Sequence, residues 1–171
     1  GRGDSARRYI GQQPVRVAEF ERRLAMIKPF MNGHEVVWND KELQLKWVRP
    51  ELPEIPMWVA GYGPKALGVA GRIGDGVIIQ LADPEIIQWI MGTARTAAQE
   101  AGRNPDDLEC IVCAPSHVGP IEDGREQTRW FPAMVSNHVM DLIERYGADG
   151  SVIPSALTDY VQAREFYDYN E

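Results

Sequence analysis

The hydrophobic period of the chain switches repeatedly between helix and strand spacing. Val17, Phe20, Leu24, Ile27 and Phe30 recur every three or four positions after Pro14, which predicts an amphipathic helix ending near Asn32 and Gly33. Glu19 and Arg23, four apart, are placed to pair on its outer face. Glu35, Val36, Val37 and Trp38 then lead into the turn residues Asn39, Asp40 and Lys41. Leu43, Leu45 and Trp47 alternate with Gln44 and Lys46, so a hairpin excursion is expected over 34–50, its second strand half-buried. A proline-rich connector over 49–56 delivers the chain to a continuous apolar run at 57–60. Such a run is expected of a strand covered on both faces in a parallel sheet.

Further apolar runs at 77–79 and 108–114 predict two more strands, with helices between. The first, short helix opens at Pro64 and stops near Gly71. The second is capped by Asp83 and Pro84, turns Ile86, Ile87, Ile90 and Met91 inward, and ends at Gly102. A loop follows over 115–121, then a helix over 122–145 with a break at Pro132, and a last helix over 155–169.

The stretch 55–80 is the organising unit: strand, glycine turn, helix, glycine turn, strand. Gly61 and Gly63 permit a tight turn and close backbone approach, and Pro64 presets the first helical position. The amides of Tyr62, Gly63 and Lys65 are then offered at a helix N-terminus, where a phosphate or carboxylate can be held. Strands ending near residues 3, 60, 80 and 114 alternate with helices, which predicts either a doubly wound sheet or part of a (β/α)8 barrel. In both, ligands bind at the carboxyl ends of the strands. Residues 1–5, 60–65, 80–83 and 114–117 are therefore expected on one rim.

Composition narrows the partners. At 171 residues the chain is long enough for one domain with a sizeable core. The net charge of -7 with no basic stripe argues against nucleic acid, but not against an anion held by backbone amides. Apolar runs are strand-length and no signal peptide pattern opens the chain, so neither membrane insertion nor export is expected, and a cytoplasmic site is. The chain starts without Met and Gly1 reads as the end of a strand already in progress, as in an internal piece of a longer protein.

Cys110 and Cys113 form a C-x-x-C, yet an odd offset on a strand turns them to opposite faces, and two buried thiols are expected rather than a metal or dithiol site. Among His34, His117 and His138, only His117 falls on the predicted rim, as a substrate contact or a surface loop residue. Neither an H-E-x-x-H nor a G-x-S-x-G motif is present, so no metal and no protein nucleophile is expected and no catalytic residue is assigned. Trp58 is expected in the core, with Trp47, Trp89 and Trp130 as packing residues. Residues 61–66 also satisfy G-x-G-x-x-A with Asp83 about twenty residues on, the pattern of an NAD-binding Rossmann dehydrogenase module. Pro64 in place of a backbone donor and Asp83 as a helix cap count against that alternative. A non-catalytic scaffold with a ligand-free turn is the other. Arg2, Gly3 and Asp4 spell an adhesion tripeptide; the preferred reading has Gly3 allowing close approach to a ligand, Asp4 and Ser5 presenting polar groups, and Arg2 contacting an anion or solvent.

Residues 1–6, 55–67 and 70–78, in that order and with a hairpin between the first two, resemble the luciferase-like monooxygenase superfamily. The likeness is to its branch of F420-dependent reductases similar to methylenetetrahydromethanopterin reductase, and it covers most of residues 1–120. It implies a TIM-like barrel of which strands four to seven are present, as a single partial domain over 1–171, with 120–171 a helical excursion before a missing last strand. It implies that Gly1, Arg2, Gly3, Asp4 and Ser5 flank a cofactor ring or its side chain. Ala60, Gly61, Tyr62 and Gly63 would lie near the cofactor phosphate and Gln80 near the substrate. The implied protein is a cytoplasmic oxidoreductase, a homo-oligomer at full length, moving hydride between coenzyme F420, or alternatively FMN, and a small organic substrate. In such enzymes the protein orients the cofactor, which carries the chemistry.

Overall fold

Two of the apolar runs pair side by side in the computed structural model, which describes residues 7, 9–147, 152–155 and 158. Trp58–Ala60 (β3) and Gly76–Ile79 (β4) are parallel neighbours, and Glu109–Val112 (β5) adds in parallel on the other side of β4. The helix Pro64–Ile73 (α2) links β3 to β4, and Pro84–Glu100 (α3) with a short turn at Pro105–Asp107 links β4 to β5. Ahead of this sheet come the helix Val17–Met31 (α1) and an antiparallel hairpin of Val36–Trp38 (β1) and Lys41–Leu43 (β2). After it come Ile121–Thr128 (α4) and Trp130–Tyr146 (α5). Gly1 to Ser5 and nearly all of the helix expected over 155–169 lie outside the described residues.

The sheet has unlike faces. Val59, Val77 and Ile79 share one face and are at most 2% exposed, joining Leu67, Val69 and Ala70 of α2 with Ile86, Ile90 and Ala94 of α3 in one cluster. Full burial of each such side chain is worth about 1.5–3 kcal/mol. On the other face Trp58 and Ile78 are only half-buried, and Ala60 and Ile111 are exposed. Cover on both faces, expected from the apolar runs, therefore holds for one face alone. α2 and α3 cross at near backbone contact: a Cβ on Gly71 would sit 2.0 Å from the carbonyl oxygen of Ala94.

The amino ends of the strands are tied by Asp75. Its Oδ2 accepts the Met57 amide at 2.8 Å, its Oδ1 lies 2.5 Å from Lys28 Nζ on α1, and its carbonyl accepts from Glu109 N at 3.1 Å. Arg103 stands beside it at 4.0 Å and donates to the Gly71 carbonyl at 2.6 Å. Burial alone would raise the Asp75 pKa; the Lys28 ammonium and Met57 amide, with Arg103, outweigh it and hold the carboxyl below its ordinary value.

Several expectations need correction. The second hairpin strand is Lys41–Leu43, because Asn39 and Asp40 both take positive φ (48° and 60°) in a two-residue turn that pairs Trp38 with Lys41. Beyond it Val48 N turns back to Leu45 O, leaving Trp47 80% exposed rather than packed. Trp130 is likewise exposed, at 42%, and Trp58 is half-buried with its ring beside Gly76. Cys110 and Cys113 are exposed, since β5 is the edge strand of the described sheet and all four of its residues are exposed. The break in the late helix falls at Arg129, so that Pro132 sits in the first turn of α5, where its missing N–H breaks no bond. α1 begins at Val17, three residues after Pro14, and there Glu19 pairs with both Arg23 and Arg22 at 2.7 Å.

Candidate functional site

β3 ends at Ala60 and the chain turns through Gly61, Tyr62 and Gly63 into α2. Gly63 is the N-cap residue, with extended φ and ψ of −80° and 149°, and its carbonyl accepts from Ala66 N (2.9 Å) and Leu67 N (3.0 Å). Pro64 occupies the first helical position and has no N–H to satisfy. The amides of Gly63 and Lys65 meet no acceptor among the described residues. α2 carries no acidic residue in its first turn, so its dipole and these donors are offered to an external anion, with the exposed Lys65 ammonium alongside.

The tips of β3 and β4 are joined. The Tyr62 hydroxyl donates to the Gln80 carbonyl at 3.1 Å, which brings Ala60, Gly61, Tyr62, Gly63 and Gln80 into one patch of the rim. The Gln80 side chain belongs to an exposed residue. Asp83, by contrast, is spent on α3: its Oδ1 accepts from Glu85 N (2.9 Å) and Ile86 N (3.0 Å). It caps a helix, as its position beside Pro84 predicts.

His117, on the loop after β5, is half-buried, and its Nε2 is shielded from water without a hydrogen-bond partner among the described residues. The ring lies against Gly119 and Gly124, so it packs the loop onto α4. Cys110 has its thiol pushed up by partial desolvation against the opposing pull of Arg95, which disfavours the reactive thiolate. A hollow of 720 Å³ lies among α1, α2 and α3, reaching Pro64 and Lys65 at the start of α2, and in it Arg72 grips Glu21 through two bonds of 2.6 and 2.8 Å. Among the described residues no group of three His, Cys, Asp or Glu is placed to hold a metal, and no helix is long and apolar enough to cross a membrane.

Two residues at the turn were not legible in the sequence. Leu142 and Tyr146, from the last turns of α5, stand over Gly63: a Cβ there would lie 3.2 Å from Leu142 Cδ2 and 3.6 Å from the Tyr146 hydroxyl. Their spacing with Phe131, Val135 and Val139 marks an apolar helix face, but nothing local says what that face covers.

This arrangement has counterparts. The chain is 34% identical, over 65% of its length, to the phthiodiolone/phenolphthiodiolone dimycocerosates ketoreductase of Mycobacterium kansasii, and covers 31% of that protein. It is 35% identical over 61% of its length to the F420-dependent glucose-6-phosphate dehydrogenase of Mycolicibacterium gilvum, covering 33% of it. The chain thus spans about a third of the length of these curated relatives. Among solved structures, the coenzyme F420 dependent tetrahydromethanopterin reductase from Methanopyrus kandleri superposes with a TM-score of 0.59 at 19% identity, over 90% of this chain and 48% of that one, a likeness of fold. The sequence pattern of luciferase-like monooxygenases matches residues 3–165, taking in both joined strand tips and the glycine turn between them, and the chain belongs to that family.

Proposed function

We propose that the chain is the part of an F420-dependent oxidoreductase that holds the cofactor's anionic end, with β3, β4 and β5 as strands five to seven of a TIM-like barrel. The observation that carries this reading is the Tyr62–Gln80 bond, which sets a helix N-terminus and a polar strand end on one rim. Two amides at the start of a ten-residue helix and a neighbouring ammonium suit a phosphate or carboxylate. Ala60, Gly61, Tyr62 and Gly63 wrap that anionic group, and Gln80 faces the substrate. Gly1, Arg2, Gly3, Asp4 and Ser5 come from the tip of strand four and flank the ring or its side chain. F420, when bound, supplies a hydride donor or acceptor to a small organic substrate; FMN is the alternative occupant. The residues of this chain fix where the ring lies and hold water away from one side of it. The full-length protein is read as a cytoplasmic homo-oligomer. Its F420 dependence is supported by the mycobacterial glucose-6-phosphate dehydrogenase relatives, among which the one from Mycolicibacterium fortuitum is 29% identical over 72% of the chain.

Titration with F420, FMN and NAD separately, followed by tryptophan fluorescence, tests the assignment. Saturable binding of F420 that Gly63→Val abolishes is the expected result. Binding of NAD alone would point to a dinucleotide module, and unchanged F420 affinity in Gly63→Val would remove the turn from the site.

A further inference from the structure

We propose that Tyr62 is a positioning residue whose hydroxyl fixes Gln80, the substrate contact, at a set place relative to the cofactor turn. This rests on the assignment of that turn to the cofactor's anionic end and of Gln80 to the substrate. Tyr62 stands between Gly61 and Gly63, next to the amide offered to the anion, and its side chain packs against the core cluster. From there its hydroxyl reaches the Gln80 carbonyl at 3.1 Å.

The bond falls where the sheet stops. β3 and β4 stay in register as far as Ala60 and Ile78, and on the other side of β4 Cys113 N still reaches the Ile79 carbonyl at 2.8 Å. One residue later the Gln80 carbonyl accepts from a side chain of the turn. Leu81, which follows, is 2% exposed, and Asp83 then caps α3. The planar Gln80–Leu81 peptide is therefore held between a buried side chain and the Tyr62 hydroxyl, and its orientation decides where the exposed Gln80 residue stands on the rim. An anion bonded to the Gly63 amide acts on the residue next to Tyr62. Its presence is felt at Gln80 through the phenol, with no contact between the anion and Gln80. Coupling of this kind is reciprocal, so a Gln80 peptide held by Tyr62 favours the occupied turn.

The test is the backbone amide spectrum titrated with F420 in the wild-type chain, in Tyr62→Phe and in Gln80→Ala. The Leu81 N–H belongs to the peptide whose carbonyl takes the Tyr62 bond, and it reports on that bond. A saturable shift at Leu81, in step with those at Gly63 and Lys65, is expected in the wild type. In Tyr62→Phe the shifts at Gly63 and Lys65 should remain and the Leu81 shift should vanish. F420 affinity should fall about twofold there, the scale of one exposed hydrogen bond. Gln80→Ala keeps the carbonyl and should keep the Leu81 shift. A Leu81 amide that stays still while Gly63 and Lys65 shift, or that shifts equally in Tyr62→Phe, overturns the role of Tyr62 and leaves the turn assignment standing. Loss of the Leu81 shift in Gln80→Ala as well also overturns it, since the path would then run through the Gln80 side chain. Failure of all three proteins to bind F420 overturns both.

Discussion

The two ends of the parallel sheet are made of different materials. At the amino end every group of Asp75 has a partner: both carboxylate oxygens and the carbonyl are engaged by Met57, Lys28 and Glu109, and Arg103 reaches over to Gly71. At the carboxyl end are glycines, the Tyr62–Gln80 bond and two amides, of Gly63 and Lys65, that meet no acceptor among the described residues, with Leu142 and Tyr146 of α5 beside Gly63. A charge network that is fully paired ties the strands together, whereas the start of a helix with amides left over offers donors to an anion. The division matches what parallel βα folds do in general, with stability at one end of the strands and chemistry at the other.

The contrast can be broken by substitution. Gly71→Val should have the largest effect, since its side chain meets the Ala94 carbonyl 2.0 Å away and forces α2 from α3. A loss of about 3 kcal/mol is expected in urea unfolding, at the upper end for overpacking. Asp75→Ala should cost about 2 kcal/mol, the scale of hydrogen bonds to a charged group. Because the folded Asp75 pKa lies below its unfolded value near 3.9, its contribution is complete above that value. It is lost as pH falls through the folded pKa, so the wild type should lose stability below about pH 4 and Asp75→Asn should lack that component. Gly63→Val should lower stability by only about 1 kcal/mol, because it meets a movable Leu142 side chain rather than backbone, yet F420 titration should show no binding. Tyr62→Phe, which removes one exposed bond to Gln80, should cost about 0.5 kcal/mol in the same unfolding measurement.

The sequence made the carboxyl end more legible than the amino end. Gly61, Gly63 and Pro64 announce a strand-to-helix turn because their backbone roles are local, and Asp83 announces a cap for the same reason. Asp75 gave no such notice: its partners Lys28 and Arg103 lie far along the chain in both directions, and pairing at that range has no periodic signature. The hairpin was misread because the alternation of Leu43, Leu45 and Trp47 obeys strand spacing, while the left-handed pair Asn39 and Asp40 sets a tighter register. Cys110 and Cys113 were expected inside because an apolar strand reads as covered; β5 lies at the edge of the described sheet, where that inference fails. The cover over Gly63 joins residues about eighty apart, and only folding reveals it. Of the candidate contacts, Ala60, Gly61, Tyr62, Gly63 and Gln80 come together, and residues 1–5 fall outside what is described.

The most direct measurement is the backbone amide spectrum of the 171-residue chain during titration with F420. Saturable shifts at Gly63 and Lys65, larger than at any amide near Asp75, are the predicted result. Saturable F420 binding that leaves those two amides unmoved would contradict the assignment of the turn.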